Sequence, residues 1–443
     1  MVGQAPPYGF TVIMMKVDVH YGKSIVSLNI PEANLGPIIR PWQDDGNVDN
    51  ISLLQKAMAN DECERFQKEV EGKRLCVLLD DGTRDNPFED VFSPLFDTLL
   101  KSSFVRFVIC TGTHNPNTLE NKLIAEQIEE AAKEAGITDF EIHAHDCESN
   151  QFIDAGCTSR GSRILYNPLI DDVEVFLVLS DVKVHYFAGY SNPIKNFVPG
   201  VCAFRTAEQN HSLALDEKST FGLHPWHQNE SRRANPLATD QLEGMRMIVK
   251  DRPVYTLTTI TTSRQIRWAQ FGPIERVTAE AFDAVDKKNT HTVTPLGRLV
   301  VSPGGLPNDV DLYIAQRALE LTKNAVTDGG EVLFLASCPN GIGEKKTMEN
   351  FYNRLTLPID EVLKSIENEY KLYSHKPYKF AQMIRRLRRI WIHSEIPDHF
   401  VEAAHLHPAH EPQAIVDRWL AEQPDTKITI VDGANKIALY GAD

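Results

Sequence analysis

The chain lacks most of the features that assign a protein to a class at sight. No run approaches the roughly eighteen apolar residues of a membrane helix, so no membrane partner is expected. The start, MVGQAPPYGF, has no basic stretch leading into an apolar one, so no secretory signal is expected. Positive charge is scarce. Against 61 Asp and Glu stand 46 Lys and Arg, and the net charge of -15 argues against nucleic acid as the main partner. The seven cysteines are odd in number and form no CxxC, and Cys76 and Cys110 sit in apolar runs. That usage argues against a disulfide framework and against a cysteine-bound zinc. There is no GxGxxG, no P-loop lysine motif, no HExxH and no repeat at a solenoid period. These absences leave an acidic, cytoplasmic enzyme as the expectation.

What is present is a strand and helix alternation in a chain long enough for two domains. The chain has 443 residues, and 42% of them are apolar. Residues 15–30 alternate around Tyr21-Gly22-Lys23 and predict a β-hairpin. A helical stretch follows near 51–72. Strands are then expected at 73–79, 104–110, 140–145 and 173–180, with helices over 88–101 and 119–135. The pattern restarts with strands at 298–301 and 331–336, a helix over 309–323, a helical region over 358–390 and a final pair of strands at 427–431 and 436–440. Alternating strands and helices mean βαβ units. The expected fold is two α/β domains with mainly parallel sheets and an interdomain cleft, divided as 1–290 and 291–443.

Polar residues gather where the predicted strands end. Asp81, Gly82, Thr83 and Arg84 follow the first, Gly112-Thr113-His114 the second, and Lys183 and His185 the fourth. In open parallel sheets, sites form at the carboxyl ends of strands. Three such ends therefore predict one crevice. The segment from Asp181 to His211 is the densest of these, with two histidines, Lys195, and Gly189, Pro193, Pro199 and Gly200 to shape a loop. Taken singly, each residue has a plainer reading. Asp81 and Arg84 make a turn with a local ion pair, His114 caps a helix, Lys195 is a surface lysine, and His211 is a satisfied buried histidine. As a set, the same residues also suit a zinc hydrolase or lyase using His114, His185 and His211, or a non-catalytic binder of a nucleotide or hydroxy acid.

Together the residues resemble the nickel-pincer-nucleotide lactate racemase family. The resemblance is carried by Asp81-Gly82-Thr83-Arg84 with Pro87 downstream, Gly112-Thr113-His114, GCTSRG at 156–161 and His185 ahead of Gly189-Tyr190-Ser191. Lys195 with Pro199-Gly200, and Asn210-His211, continue it. The second half adds Ser302, Gly304-Gly305, Pro307, Asp309 and Tyr313. The resemblance implies a racemase or epimerase of a small 2-hydroxy carboxylic acid. It implies a nickel-pincer nucleotide tethered through Lys195, with the Asp81-Gly82-Thr83-Arg84 turn beside it and His211 on the nickel. It also implies His114 and His185 as acid and base, Arg84 on the substrate carboxylate, and cofactor-biosynthesis proteins for loading. Two departures stand out. Family racemases often carry Gly-Gly ahead of the lysine where this chain has Asn192-Pro193. After Tyr313 they carry a glutamine and a lysine that touch substrate, where this chain has Ile314 and Arg317. The changed contacts imply a substrate other than lactate within the same acid class.

Overall fold

The computed structural model describes residues 13–43, 49–84 and 86–442. It divides into two compact units. One comprises 41–291 with 365–375, and the other 1–40, 292–364 and 376–443. The N-terminal hairpin, Met14–Tyr21 with Ser24–Pro31, buries Val17, Val19, Leu28 and Ile30 in one cluster with Val300, Leu333, Ile428 and Trp419. Leu35–Ile39 then pairs in parallel with Ile428–Asp432. The start of the chain therefore completes the sheet built by its end.

The unit holding 41–291 is built on a six-stranded sheet. In spatial order its strands are Gln265–Pro273, Val254–Thr262, Val175–Asp181, Arg74–Asp80, Phe104–Cys110 and Phe140–Ala144. All neighbours run parallel except the first pair. The four parallel strands expected here are present, but the hairpin 254–273 was not expected. Its threonine-rich first strand is buried on both faces, and its turn uses Ser263 and Arg264 at φ 52° and 62° in place of glycine. The helix expected over 88–101 is broken into Phe88–Val91, Ser93–Leu95 and Phe96–Leu99, with Pro94 in the first turn of the middle piece. Leu119–Glu134 is a full helix, capped by the Thr118 hydroxyl on the Asn121 amide.

The other unit carries a six-stranded, wholly parallel sheet in the order His407–Pro408, Arg389–His393, Val326–Leu335, Leu296–Ser302, Ile428–Asp432 and Leu35–Ile39. Successive residues serve opposite faces. Leu299 and Val301 join one apolar cluster, and Val300 joins the other. Three expectations change here. The helical region 358–390 is two helices, Ile359–Asn368 and His375–Arg386, and Arg389 already lies in a strand. The helix over 309–323 begins at Leu312, where Asp311 caps it, and is interrupted at Gln316. The last two strands do not pair with each other, since Ala438–Gly441 pairs with Thr290–Val293. No helix among the described residues is long and apolar enough to cross a membrane.

Candidate active site

Strand Arg74–Asp80 ends in two buried carboxylates with different work. Asp80 accepts from the Asp181 backbone N–H at 2.8 Å, from Asn86 Nδ2 at 3.1 Å and from Asn196 Nδ2 at 3.2 Å. It thereby ties the neighbouring strand end to the turn that carries Lys195. Burial pushes its carboxyl pKa up, against the pull of Arg84.

Asp81 faces His114, with 2.7 Å between its Oδ2 and the ring Nδ1. The Thr83 hydroxyl donates to its other oxygen at 2.6 Å. Burial raises the Asp81 pKa, but His114, Arg84 and this hydroxyl outweigh burial and hold the carboxyl below its ordinary value. An ionised Asp81 can only accept, so Nδ1 of His114 carries a proton, and in the neutral ring the lone pair is on Nε2. Gly82 allows the turn to pass close to a helix. A Cβ there would lie 2.3 Å from Glu120 Cβ, and the Gly82 N–H donates to Asn121 Oδ1 at 2.9 Å. Gly82 and Thr83 therefore shape the turn through Asn121 and Asp81.

The segment after Val175–Asp181 is more regular than a loop. Lys183–His185 and Gly189–Ser191 form a short hairpin, and Ile194–Phe197 is one helical turn. Gly189, at φ +78°, is required, because a Cβ would stand 2.0 Å from the Leu223 carbonyl oxygen. Tyr190 anchors the hairpin by stacking on Phe282 at 4.1 Å and donating to Asp286 at 2.8 Å. Asn192 Oδ1 accepts from the Ile194 N–H at 2.9 Å, so the Asn192-Pro193 departure caps the lysine turn. The Gly200 carbonyl accepts from the Gly112 N–H at 3.0 Å, which joins the lysine turn to the His114 loop. A pocket lined in part by Asp81, Arg84, His114, Asn192, Lys195 and Asn196 opens between them. A wider groove, lined in part by Trp42, Trp268 and Lys287, holds none of the expected site residues.

His185 is buried, and its Nδ1 accepts from the Ala188 N–H at 3.3 Å. Neutral His185 therefore carries its proton on Nε2, the opposite tautomer to His114. His211 closes helix Phe204–Ser212, which Asn210 fixes by donating to Asp240 Oδ2 at 2.8 Å. Its Nδ1 is buried without a well-formed hydrogen bond, although the Ala207 carbonyl one turn back favours the charged form. Burial first, then the charge of Lys195, lowers its pKa to about 3. His211 is therefore neutral near pH 7, as a metal-binding imidazole must be.

Phe187 lies among these groups. Its ring is 4.5 Å from that of His185 and 5.2 Å from that of His211, and Lys195 Nζ lies 5.8 Å from its centre. The structure thus brings Asp81, Arg84, His114 and Lys195 to one pocket, and Lys195, His185 and His211 to one ring cluster. Asp80, Asn196 and Phe187 were missed by sequence reasoning.

Ile314 and Arg317 belong to the other unit. The Ile314 N–H is the donor that Asp311 caps, at 2.7 Å. Nearby, the Lys376 amine bonds the Tyr313 carbonyl and sits 3.5 Å from the centre of its ring. Burial, and then the charge of Arg317, push the Lys376 pKa well below its ordinary value. Lys376 gave no sequence signal beyond its place in the helical region 358–390.

Parallel strand ends that bring together a carboxylate-locked imidazole, an arginine and a lysine describe an α/β enzyme acting on a small molecule. The chain matches the model of the lactate racemase N-terminal domain over residues 21–222. It is 24% identical over 348 residues to the lactate racemase of Thermoanaerobacterium thermosaccharolyticum, covering 76% of this chain and 77% of that one. It is 20% identical over 441 residues to the lactate racemase of Lactiplantibacillus plantarum, covering 96% and 100%. The fold matches the lactate racemase apoprotein from T. thermosaccharolyticum with a TM-score of 0.82 at 19% identity, covering 96% of this chain and 100% of that one. It also matches a crystal structure of a protein from Thermotoga maritima, with a TM-score of 0.62 at 15% identity, covering 90% and 100%. Residues 21–222 thus carry a lactate racemase N-terminal domain, and the likeness of the chain to the two named racemases marks it as an isomerase.

Proposed function

We propose that the protein racemises or epimerises a 2-hydroxy carboxylic acid with the help of a nickel-pincer nucleotide. The observation that carries the proposal is the Asp81–His114 pair, which lies in the pocket that Arg84 and Lys195 also line. The donor set fits the cofactor. His211 is a neutral imidazole for the metal, and Lys195 stands on a rigid turn as the tether. When bound, the cofactor supplies an electrophilic centre that accepts hydride reversibly.

The residues of the chain do the rest. The proton on carbon beside an ionised carboxylate is very hard to remove as such. Taking the hydroxyl proton instead lets the carbon become planar. Nε2 of His114 can take that proton, and Asp81 stabilises the imidazolium that forms. His185 serves the hydroxyl of the opposite hand. Two imidazoles are needed because the two hands present their hydroxyls differently. Arg84 clamps the substrate carboxylate, so the planar intermediate neither leaves nor reorients through water. Arg317 retains a positive charge for the substrate, and Ile314 offers an apolar surface, so we propose a substrate with a bulkier or less polar side group than lactate. Loading by cofactor-biosynthesis proteins and a cytoplasmic location belong to the same proposal.

The test is to produce the chain in a cofactor-competent host, measure its mass and nickel, and follow optical rotation over a panel of 2-hydroxy acids. Turnover with bound nickel is expected. Lys195→Ala is expected to lose the mass adduct and His211→Ala the metal. Neither nickel nor turnover in the loaded protein would overturn the proposal. A zinc hydrolase has less support, because no group of three or more His, Cys, Asp or Glu among the described residues is disposed to hold a metal ion.

A further inference from the structure

Two of the motifs that carry the resemblance, GCTSRG at 156–161 and Asn210, have no part in the proposed chemistry. The structure joins them, within the unit that holds 41–291. GCTSRG makes the connection between the paired strands Ile153–Cys157 and Arg163–Tyr166. Thr158 is buried there, and its N–H donates to the Ser162 carbonyl at 2.9 Å. Its hydroxyl oxygen accepts from the Ser162 N–H at 3.1 Å. The hydroxyl proton is then left for Asp240, whose Oδ1 lies 2.5 Å away.

Asp240 is fully buried in helix Pro236–Val249. Its other oxygen, Oδ2, accepts from Asn210 Nδ2 at 2.8 Å. The Asn210 amide is oriented twice over. Nδ2 also donates to the Leu237 carbonyl at 3.3 Å, which can only accept, and Oδ1 accepts from Gln241 Nε2 at 3.2 Å. Asn210 stands next to His211 in helix Phe204–Ser212. The same helix is tied to the strand that follows the loop. The Thr206 hydroxyl donates to the Arg163 carbonyl at 2.6 Å, and Gln209 Oε1 accepts from the Arg163 N–H at 2.9 Å. A buried line from Thr158 through Asp240 to Asn210 thus connects the loop with the residue beside His211. Ser159 makes a second tie from the loop to helix Pro236–Val249, its N–H and hydroxyl both donating to Glu243 at 2.7 Å, but at the surface.

We infer that Asp240 and Thr158 are positioning residues for His211. Asp240 grips Asn210 with one oxygen and is itself aimed by the Thr158 hydroxyl on the other, so the 156–161 loop sets where the last turn of the helix presents its imidazole. Taking the hydroxyl away leaves Asp240 Oδ1 buried without its donor. A buried acceptor in that state turns toward another donor, and here it carries Asn210 with it. The work of His211 on a metal rests on the proposed function, whereas the placing of its ring by Asp240 does not. Groups that orient a metal ligand from behind are worth about tenfold or more in metal affinity.

Three variants of the full chain test this. Thr158→Val keeps the shape of the side chain and removes the hydroxyl, Thr158→Ser keeps the hydroxyl, and Ser159→Ala removes only the surface tie. In metal-free chain labelled with 15N-histidine, the His211 ring resonances are identified by their loss in His211→Ala. Thr158→Val is expected to move them and to leave those of His143, in a strand of the same unit, in place. Thr158→Ser and Ser159→Ala are expected to match the wild type. After loading in the cofactor-competent host, Thr158→Val is expected to lose nickel to a chelator about tenfold faster, with the Lys195 adduct retained. Unmoved His211 resonances in Thr158→Val would overturn the inference, as would an equal displacement in Ser159→Ala. If Thr158→Val does not fold, Thr158→Ala, which removes the hydroxyl without setting a methyl against Asp240, is read in the same way. Moved resonances with nickel lost at the wild-type rate keep the inference and count against His211 as the metal ligand. If the wild-type chain takes up no nickel, the proposed function fails by itself and the ring resonances alone decide the inference.

Discussion

Asp81 Oδ2 holds Nδ1 of His114 at 2.7 Å, and that bond decides which nitrogen can work. An asparagine at 81 can turn its amide N–H toward Nδ1 and so favour the other tautomer, with the proton on Nε2. Asp81→Asn is therefore expected to lower kcat by roughly 10²-fold or more, the usual worth of a positioned general base. Nickel content and the Lys195 adduct should stay at wild-type levels, because Asp81 bonds His114 and Thr83. Stopped-time polarimetry on protein of known metal content checks both parts. An equal loss of nickel and rate would assign Asp81 to cofactor retention.

Gly189 gives a test of the hairpin apart from chemistry. At its φ of +78°, the Leu223 carbonyl oxygen lies 2.0 Å from where a Cβ would stand, which leaves no room for alanine. Gly189→Ala must move Leu223 or open the hairpin, at a cost of about 2 kcal/mol or more. Gly161 has φ +87° but nothing within 4 Å of the added carbon. Gly161→Ala should therefore cost less, about 1 kcal/mol, from backbone strain alone. The two denaturation midpoints side by side check the difference.

Much of the site was legible because each key residue follows an apolar strand and is flanked by glycine or proline. His114, His185 and Lys195 all meet that description, and strands 74–80, 104–110 and 175–181 are continuous apolar runs. The break between Asn368 and His375 was hidden because the whole region 358–390 reads as helical. The partnership of residues 35–39 with 428–432 was hidden because parallel pairing over such a separation leaves no local pattern. The anchoring work of Asp80 was masked by its neighbour. In sequence, Asp80-Asp81 is a pair of turn acids, and only the fold turns one toward Asn196 and the other toward His114.

The Asn192-Pro193 departure makes its own prediction. Pro193 opens the lysine turn at φ -56°, within the range its ring prefers, and Asn192 caps that turn. Pro193→Gly enlarges the unfolded ensemble without removing a contact to Lys195, so it is expected to cost about 1 kcal/mol of stability. Adduct occupancy after full loading should be unchanged, while the rate of loading should fall as the turn becomes less ordered. Time-resolved mass spectrometry during loading checks the rate, and a thermal melt checks the stability.

The buried histidines set the acid limit of the fold. Burial, as the first cause in each case, lowers the pKa of His145 to about 4 and of His224 to about 3, from an ordinary value of 6.5. His145 donates to the Cys202 carbonyl at 2.9 Å, which only partly offsets its burial. His224 accepts from the Trp226 N–H at 3.1 Å. Above pH 6.5 both rings are neutral in folded and unfolded chains, and their contribution is fully present. Between that ordinary value and the depressed ones the unfolded chain binds protons that the native one refuses, so stability falls as pH falls. Each ring contributes a slope of about 1.4 kcal/mol per pH unit within its window. His224→Leu is expected to flatten the pH dependence of the denaturation free energy by about that much between roughly pH 6 and 4, whatever it does to stability at neutral pH. Urea titrations across that range measure the slope, and an unchanged slope would mean that His224 takes up its proton in the native state.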